Sequence, residues 1–225
     1  PKEQDAIRYI LNYGWAFAGH RIQFAKFTNS DFKAADAGNA FRTLEKTLLL
    51  ELVYPQVTAS FPILPDLRKS PKLLWLDTGM VNYVVGMQEE LLFSNDADEL
   101  WNGDIAEHVV GQELLGASLA FGEKRMFWVR DAKNSQAEVD FLIRFRAHLI
   151  PIEVKTGVNT RLRSLHQFME ESKEKVALRL WNGPMTSDTI ARSGGDPFTL
   201  YNIPIYYAGH LHVFLERKIG GRSFG

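Results

Sequence analysis

The sequence predicts an α+β fold, bordering on α/β, in which an N-terminal helical unit precedes a mixed sheet flanked by helices. Three observations predict it. Apolar residues recur at helical spacing early in the chain, most clearly Phe32, Ala35, Ala40, Leu44 and Leu48. Between Met126 and Lys155 the period changes to alternation, as strands require. Beyond it, Arg161–Lys173 again has helical spacing and Val176–Trp181 is another apolar strand.

Taken in order, Asp5–Leu11 reads as a short helix and Ile22–Phe27 as a second. Ser30 is placed to cap a third, running from Asp31 towards Leu50, because its hydroxyl can accept from the open amides of a first turn. Leu52–Val57 and Lys72–Leu76 are then two extended arms around a loop punctuated by Pro55, Pro62, Pro65 and Pro71. Helices followed by two such arms is the order of a winged helix, so residues 1–76 are expected to form one domain and residues 77–225 another. The third helix carries Lys33, Arg42 and Lys46, but also Asp36, Glu45 and Glu51. Contact with DNA is therefore one reading of it, and plain packing or partner docking the better supported one.

In the second domain, Asp77-Thr78-Gly79 opens a short helix to about Val85, and a polar stretch from Glu89 to Glu99 leads to a helix over Gly103–Leu119. Met126–Arg130, Glu138–Phe145 and His148–Lys155 follow as an antiparallel meander. Thr160 is placed to cap the next helix, and Asn182–Pro197 reads as a loop. Leu200–Tyr207 is expected to be a strand entering a helix near Leu211–Arg217, with Gly220–Gly225 frayed.

Composition excludes several classes. Without Cys among 225 residues there is no disulfide framework, thiolate zinc site, iron–sulfur cluster or Cys nucleophile, which suits a reducing compartment. Apolar runs are too short to span a bilayer and no leader is seen, so a cytoplasmic location is expected. Opening on Pro rather than Met, the sequence is expected to be a piece of a longer chain. A net charge of −1 argues against a protein that coats polyanions indiscriminately. The charge is uneven, however: Lys124 to Arg179 holds 12 basic against 7 acidic residues, leaving 14 against 20 elsewhere. A local phosphate-facing surface and a solvated mixed face both produce that pattern.

The chemistry-bearing segment is Glu138-Val139-Asp140-Phe141, then Pro151-Ile152-Glu153-Val154-Lys155. By strand alternation Val139 and Phe141 share one face, Glu138 and Asp140 the other, and Glu153 and Lys155 emerge together from the second strand. A turn around Arg146–His148 would set these charged faces side by side, where Asp140 and Glu153 can hold a hard divalent cation with Lys155 beside it. Glu107 shares a helical stripe with Val110 and Leu114, where a lone carboxylate is unfavourable; a metal or neighbouring cation would offset this, and so would a helix edge open to solvent.

The run Gly103-Asp104-Ile105-Ala106-Glu107, with Phe127-Trp128-Val129-Arg130, Glu138-Val139-Asp140-Phe141 and Pro151-Ile152-Glu153-Val154-Lys155, resembles the PD-(D/E)xK nuclease-like superfamily. With Leu44-Glu45-Lys46-Thr47, Tyr54-Pro55, Lys69-Ser70-Pro71-Lys72 and Asp77-Thr78-Gly79-Met80, it is more closely similar to the C-terminal module of a bacterial and archaeal AAA+ ATPase family, a domain of unknown function. The resemblance implies a winged helix followed by a restriction-endonuclease-like mixed sheet, and hydrolysis of phosphodiesters dependent on Mg²⁺ or Mn²⁺. Asp140 and Glu153 would bind the ion, Glu107 would support it, Lys155 would activate the attacking water, and Gln167 would be the polar residue near the site. It also implies nucleic acid, DNA first, and the parent chain's ATPase domain as partners. No G-x-x-x-x-G-K-[ST] is present, so the ATPase half is not in this sequence.

His210 and His212 are spaced to share a strand face but read as a pair without metal, and His108 and His166 read as local hydrogen-bonding residues. Phe127, Trp128, Phe141 and Phe145 read as core. The leading expectation is a nuclease-like module; the rival is a docking or scaffold module that keeps the fold without the chemistry.

Overall fold

Ala6 and Ile10 lie one turn apart on α1 (Lys2–Tyr13), and both are buried. The stripe of α2 (Ala34–Lys46), through Ala37, Ala40, Phe41 and Leu44, is buried too, and the two helices pack together. The computed structural model describes residues 2–86, 103–117, 124–130, 137–156 and 161–221. The chain divides into two compact units, one of Pro1–Pro55 with Asp66–Gln112 and the other of Gln56–Pro65 with Glu113–Gly225. It is an N-terminal helical unit followed by a mixed sheet flanked by helices.

In the first unit, β1 (Leu50–Val53) pairs antiparallel with β3 (Lys72–Trp75), Leu50 opposite Trp75 and Val53 opposite Lys72. Trp75 stacks on Trp15 with ring centroids 3.8 Å apart, and its indole donates to the Gly14 carbonyl at 3.2 Å. Gly14 permits that approach: a Cβ there would lie 3.1 Å from the Trp75 ring. The short helix α3 (Thr78–Val84) is capped by Asp77, whose Oδ1 accepts from the Met80 amide at 2.8 Å. Next comes α4 (Gly103–Gly116).

Two expectations for this unit are corrected. Ile22–Phe27 is not a helix. The amides of Gly19 and Ile22 donate to the carbonyls of Leu73 and Pro71, and Leu73 donates back to His20, so the chain enters the segment from an extended stretch beside β3. Its end turns through positive φ at Lys26, Thr28 and Asn29, which rules out a continuous helix. The third helix is also shorter than predicted. It starts at Ala34 after extended Ser30 and Lys33, with no side-chain cap, and ends before Leu48 at φ 63.

The second unit is built on a seven-stranded sheet of order β2-β4-β5-β6-β7-β9-β8. Its strands are β2 (Pro55–Gln56), β4 (Met126–Val129), β5 (Glu138–Phe145), β6 (His148–Lys155), β7 (Val176–Trp181), β8 (Thr186–Ile190) and β9 (Phe198–Pro204). The meander β4–β5–β6 is antiparallel, as the alternation predicts. β6, β7 and β9 are mutually parallel, with β8 antiparallel at the edge. One face is covered by α5 (Arg163–Glu171), whose Leu165, Phe168 and Met169 join Trp128, Leu142, Leu149, Ala177 and Leu200 in a buried cluster. On the other, Phe214 of α6 (Leu211–Ile219) sets its ring against Tyr201 at 5.2 Å.

β8 lies inside the segment read as a loop, and His210 and His212 flank the start of α6 rather than sharing a strand face. Glu89–Glu99, Leu119, Thr160 and the last four residues lie outside the described residues. No described helix is long and apolar enough to cross a membrane.

Candidate functional site

Asp140, Glu153 and Lys155 meet near the end of β6. The β5–β6 ladder runs from Phe145 opposite His148 to Phe141 opposite Ile152. One residue further on, Asp140 Oδ2 accepts the Val154 amide at 2.7 Å, so the carboxylate takes up the backbone donor between Glu153 and Lys155.

Strict alternation does not hold here, and this corrects the sequence reading. Between Val139 and Leu142 β5 advances three residues, while β4 advances two between their partners Trp128 and Met126. The extra residue is a bulge at Asp140–Phe141, which puts Val139 and Leu142 in the same cluster instead of pairing Val139 with Phe141. A bulge re-aims side chains, and this one carries Asp140.

Glu153 is also not an emergent side chain: it is only 4% exposed, because β6 is buried on both faces. Its Oε1 receives the Lys155 ammonium at 2.7 Å, two residues along the same face. An ammonium at that distance is what makes a buried carboxylate tolerable. Across the parallel pairing, Glu153 stands opposite Arg179, and Arg179 opposite Asn202. Asn202 donates through Nδ2 to Thr186 Oγ1 at 3.0 Å and Asp188 Oδ2 at 2.7 Å. A polar row thus crosses three strands at the edge of an apolar sheet face. Burial draws the Arg179 guanidinium below its ordinary pKa, while the Asp188 charge opposes that. Neither Arg179 nor Asn202 was singled out from the sequence, although an Arg inside the apolar run Val-Ala-Leu-Arg-Leu-Trp is a readable signal.

Gln167 lies on α5, where its Nε2 donates to Glu171 Oε1 at 3.1 Å; the same oxygen receives Arg130 Nε at 2.6 Å. Glu107 belongs to the first unit, and Lys72 Nζ donates to its Oε1 at 2.5 Å. Lys72 is 1% exposed, so this ion pair compensates a buried ammonium. His108 beside it is a hydrogen-bonding residue, as read from the sequence. Its Nε2 accepts the Trp75 amide at 2.9 Å, which leaves Nδ1 as the protonated nitrogen facing Thr78 Oγ1 at 2.9 Å. His166 sets its ring edge against Phe198.

Among the described residues no three His, Asp or Glu side chains form a ready cage for a metal ion. Asp140 and Glu153 provide two hard oxygen donors on neighbouring strands. One or two carboxylates, with water completing the shell, is how Mg²⁺ is usually held, so the donor set fits that ion.

Residues 102–194 match the family model described as a domain of unknown function (DUF4143). The match takes in Glu107, Asp140, Glu153, Lys155, Gln167 and Arg179, and less than half of the chain. No curated protein and no solved structure matches the chain.

Proposed function

We propose that the second unit is a metal-dependent phosphodiester hydrolase of the PD-(D/E)xK kind on a restriction-endonuclease-like sheet. In the same proposal the helical unit before it is a winged helix, and the parent chain's AAA+ ATPase domain is its partner. The observation that carries the reading is the Asp140 carboxylate on the Val154 amide, which ties the strand acid to the Glu-x-Lys pair.

Asp140 and Glu153 would hold Mg²⁺ or Mn²⁺. The bound ion supplies a more acidic water and withdraws charge from a phosphoryl oxygen. The chain's own residues do the rest. The Val154 amide fixes one Asp140 oxygen, so the carboxylate is oriented before any ligand arrives. The Lys155 ammonium is held by Glu153; its positive charge would favour proton loss from a nucleophilic water and offset negative charge growing on the phosphate. Gln167 would act from α5 as a polar neighbour of the substrate. Glu107 lies in the first unit as the partner of Lys72, so the proposed ion site rests on Asp140 and Glu153 with Lys155.

The test is calorimetric titration with Mg²⁺ and Mn²⁺, with a cleavage panel of single-stranded, duplex and branched DNA and RNA, with and without chelator. Metal uptake with chelator-sensitive cleavage is the expected result. No uptake and no cleavage would overturn it. The second reading, a docking or scaffold module with a vestigial site, is favoured by the Lys72–Glu107 pair, which already uses one expected acid.

A further inference from the structure

In the polar row beside Glu153, Arg179 is 7% exposed, and its Nε and Nη2 are buried without a hydrogen-bond partner among the described residues. A guanidinium keeps its charge at any ordinary pH, so it cannot escape burial by losing a proton. Left without acceptors, such a group is among the least favourable things a fold can bury. The surroundings hold it in place all the same. Its guanidinium carbon lies 4.4 Å from the centre of the Trp181 ring, and the Trp181 indole is tied to the Pro184 carbonyl at 3.1 Å. Gly183 makes room for that ring, since a Cβ there would come within 2.3 Å of it. The neighbouring Asn202 Oδ1 is likewise buried without a partner among the described residues, while Nδ2 is fully engaged.

We infer that Arg179 is a binding residue for a backbone phosphate of nucleic acid, seated next to the Asp140–Glu153–Lys155 site. The in-register pairing places it one strand from Glu153, on the face that carries Lys155. A planar fork of donors suits a phosphate, which offers two oxygens to it at once. The charge of Arg179 offsets the repulsion that Asp188, which acts on it electrostatically, would exert on an incoming anion. Pre-positioning on Trp181 means little side-chain freedom is lost when the anion binds. The identity of the anion rests on the hydrolase reading above.

The test uses the whole chain and a labelled twelve-nucleotide strand, single and as a duplex, titrated in EDTA and followed by anisotropy. Arg179→Met should weaken the tighter probe at least tenfold and make the salt dependence of log K shallower by about one. Arg179→Lys should recover part of the loss, and binding should change a tryptophan emission signal that is absent in Trp181→Phe. The melting temperature of Arg179→Met should equal or exceed wild type, because a buried charge is unfavourable to keep and an apolar side chain of similar length is not. Wild-type affinity in Arg179→Met, no binding of either probe by the wild type, or a marked fall in melting temperature on Arg179→Met would each overturn the inference. Mg²⁺ calorimetry and cleavage on the same proteins separate the two readings. Arg179-dependent binding without metal uptake or cleavage sinks the hydrolase and leaves the phosphate site standing. Metal uptake and cleavage indifferent to Arg179 do the reverse.

Discussion

Asp140 accepts the backbone amide of Val154 at 2.7 Å, one residue beyond the last paired position of β5 and two beyond that of β6. An acidic side chain thus satisfies a donor at the end of a ladder, and the bulge in β5 carries that side chain. The same contact constrains the proposed chemistry, since one carboxylate oxygen is committed to the fold.

Asp140→Asn separates these two roles. The amide oxygen of Asn can still accept from Val154, so the thermal midpoint should hold or rise as repulsion with Glu153 is relieved. Metal uptake and cleavage should both be lost. Cleavage that survives the substitution, or persists in chelator, would identify a contaminant and remove the mechanism.

Lys155→Ala should leave Mg²⁺ affinity largely intact in calorimetry and slow single-turnover cleavage by about 10² or more, because the ammonium acts on charge that develops in the transition state. A drop in metal affinity with an unchanged rate constant at saturating metal would place Lys155 in the fold only.

Lys72 and Glu107 form the clearest ion pair of the first unit. Glu107→Gln removes the carboxylate that faces a buried ammonium and should lower stability by about 3–5 kcal/mol in denaturant titration. Adding Lys72→Met should restore much of that loss, since removing both charges also removes the burial penalty. If Glu107→Gln instead leaves stability unchanged, the pair contributes nothing to the fold.

Asp66 is held below its ordinary carboxyl range by hydrogen bonds from the Arg68 side chain and amide. A depressed native value means the stabilisation is present above the unfolded value near 3.8 and is lost as pH falls through the lower native one. Arg68→Ala should move the Asp66 titration measured by NMR upward, towards 3.8.

The meander was legible because its alternation is strong and its turn is short, with Phe145 opposite His148 and positive φ at Arg146. Asp140, Glu153 and Lys155 were legible from the same strands, since opposed strands bring such pairs together wherever they pair. The bulge was not legible: Val139, Phe141 and Leu142 are all apolar, so the sequence does not say where the phase slips. β8 was hidden for another reason. Thr186–Asp188 are polar and exposed on an edge strand, which needs only one neighbour and no buried face. Ile22–Phe27 misled because the chain enters it from bonds between Gly19–Ile22 and Pro71–Leu73, partners fifty residues away that local spacing cannot announce. Arg179 went unremarked because its meaning comes from the strands on either side, Glu153 and Asn202.

The division of the chain has a practical sequel for anyone who would take the protein apart. Gln56–Pro65 leaves the first unit, lends Ala59 and Ile63 to the cluster under α5, and the chain then returns before crossing again after Gln112. No single scission yields two whole pieces. An N-terminal deletion that runs past Pro55 therefore takes residues from both units, and a cut after Gln112 leaves ten residues of the second unit in the first fragment, so loss of activity in such a piece does not by itself locate that activity. Separating the halves calls for point substitutions, or for a graft that supplies the ten-residue excursion to the sheet from elsewhere.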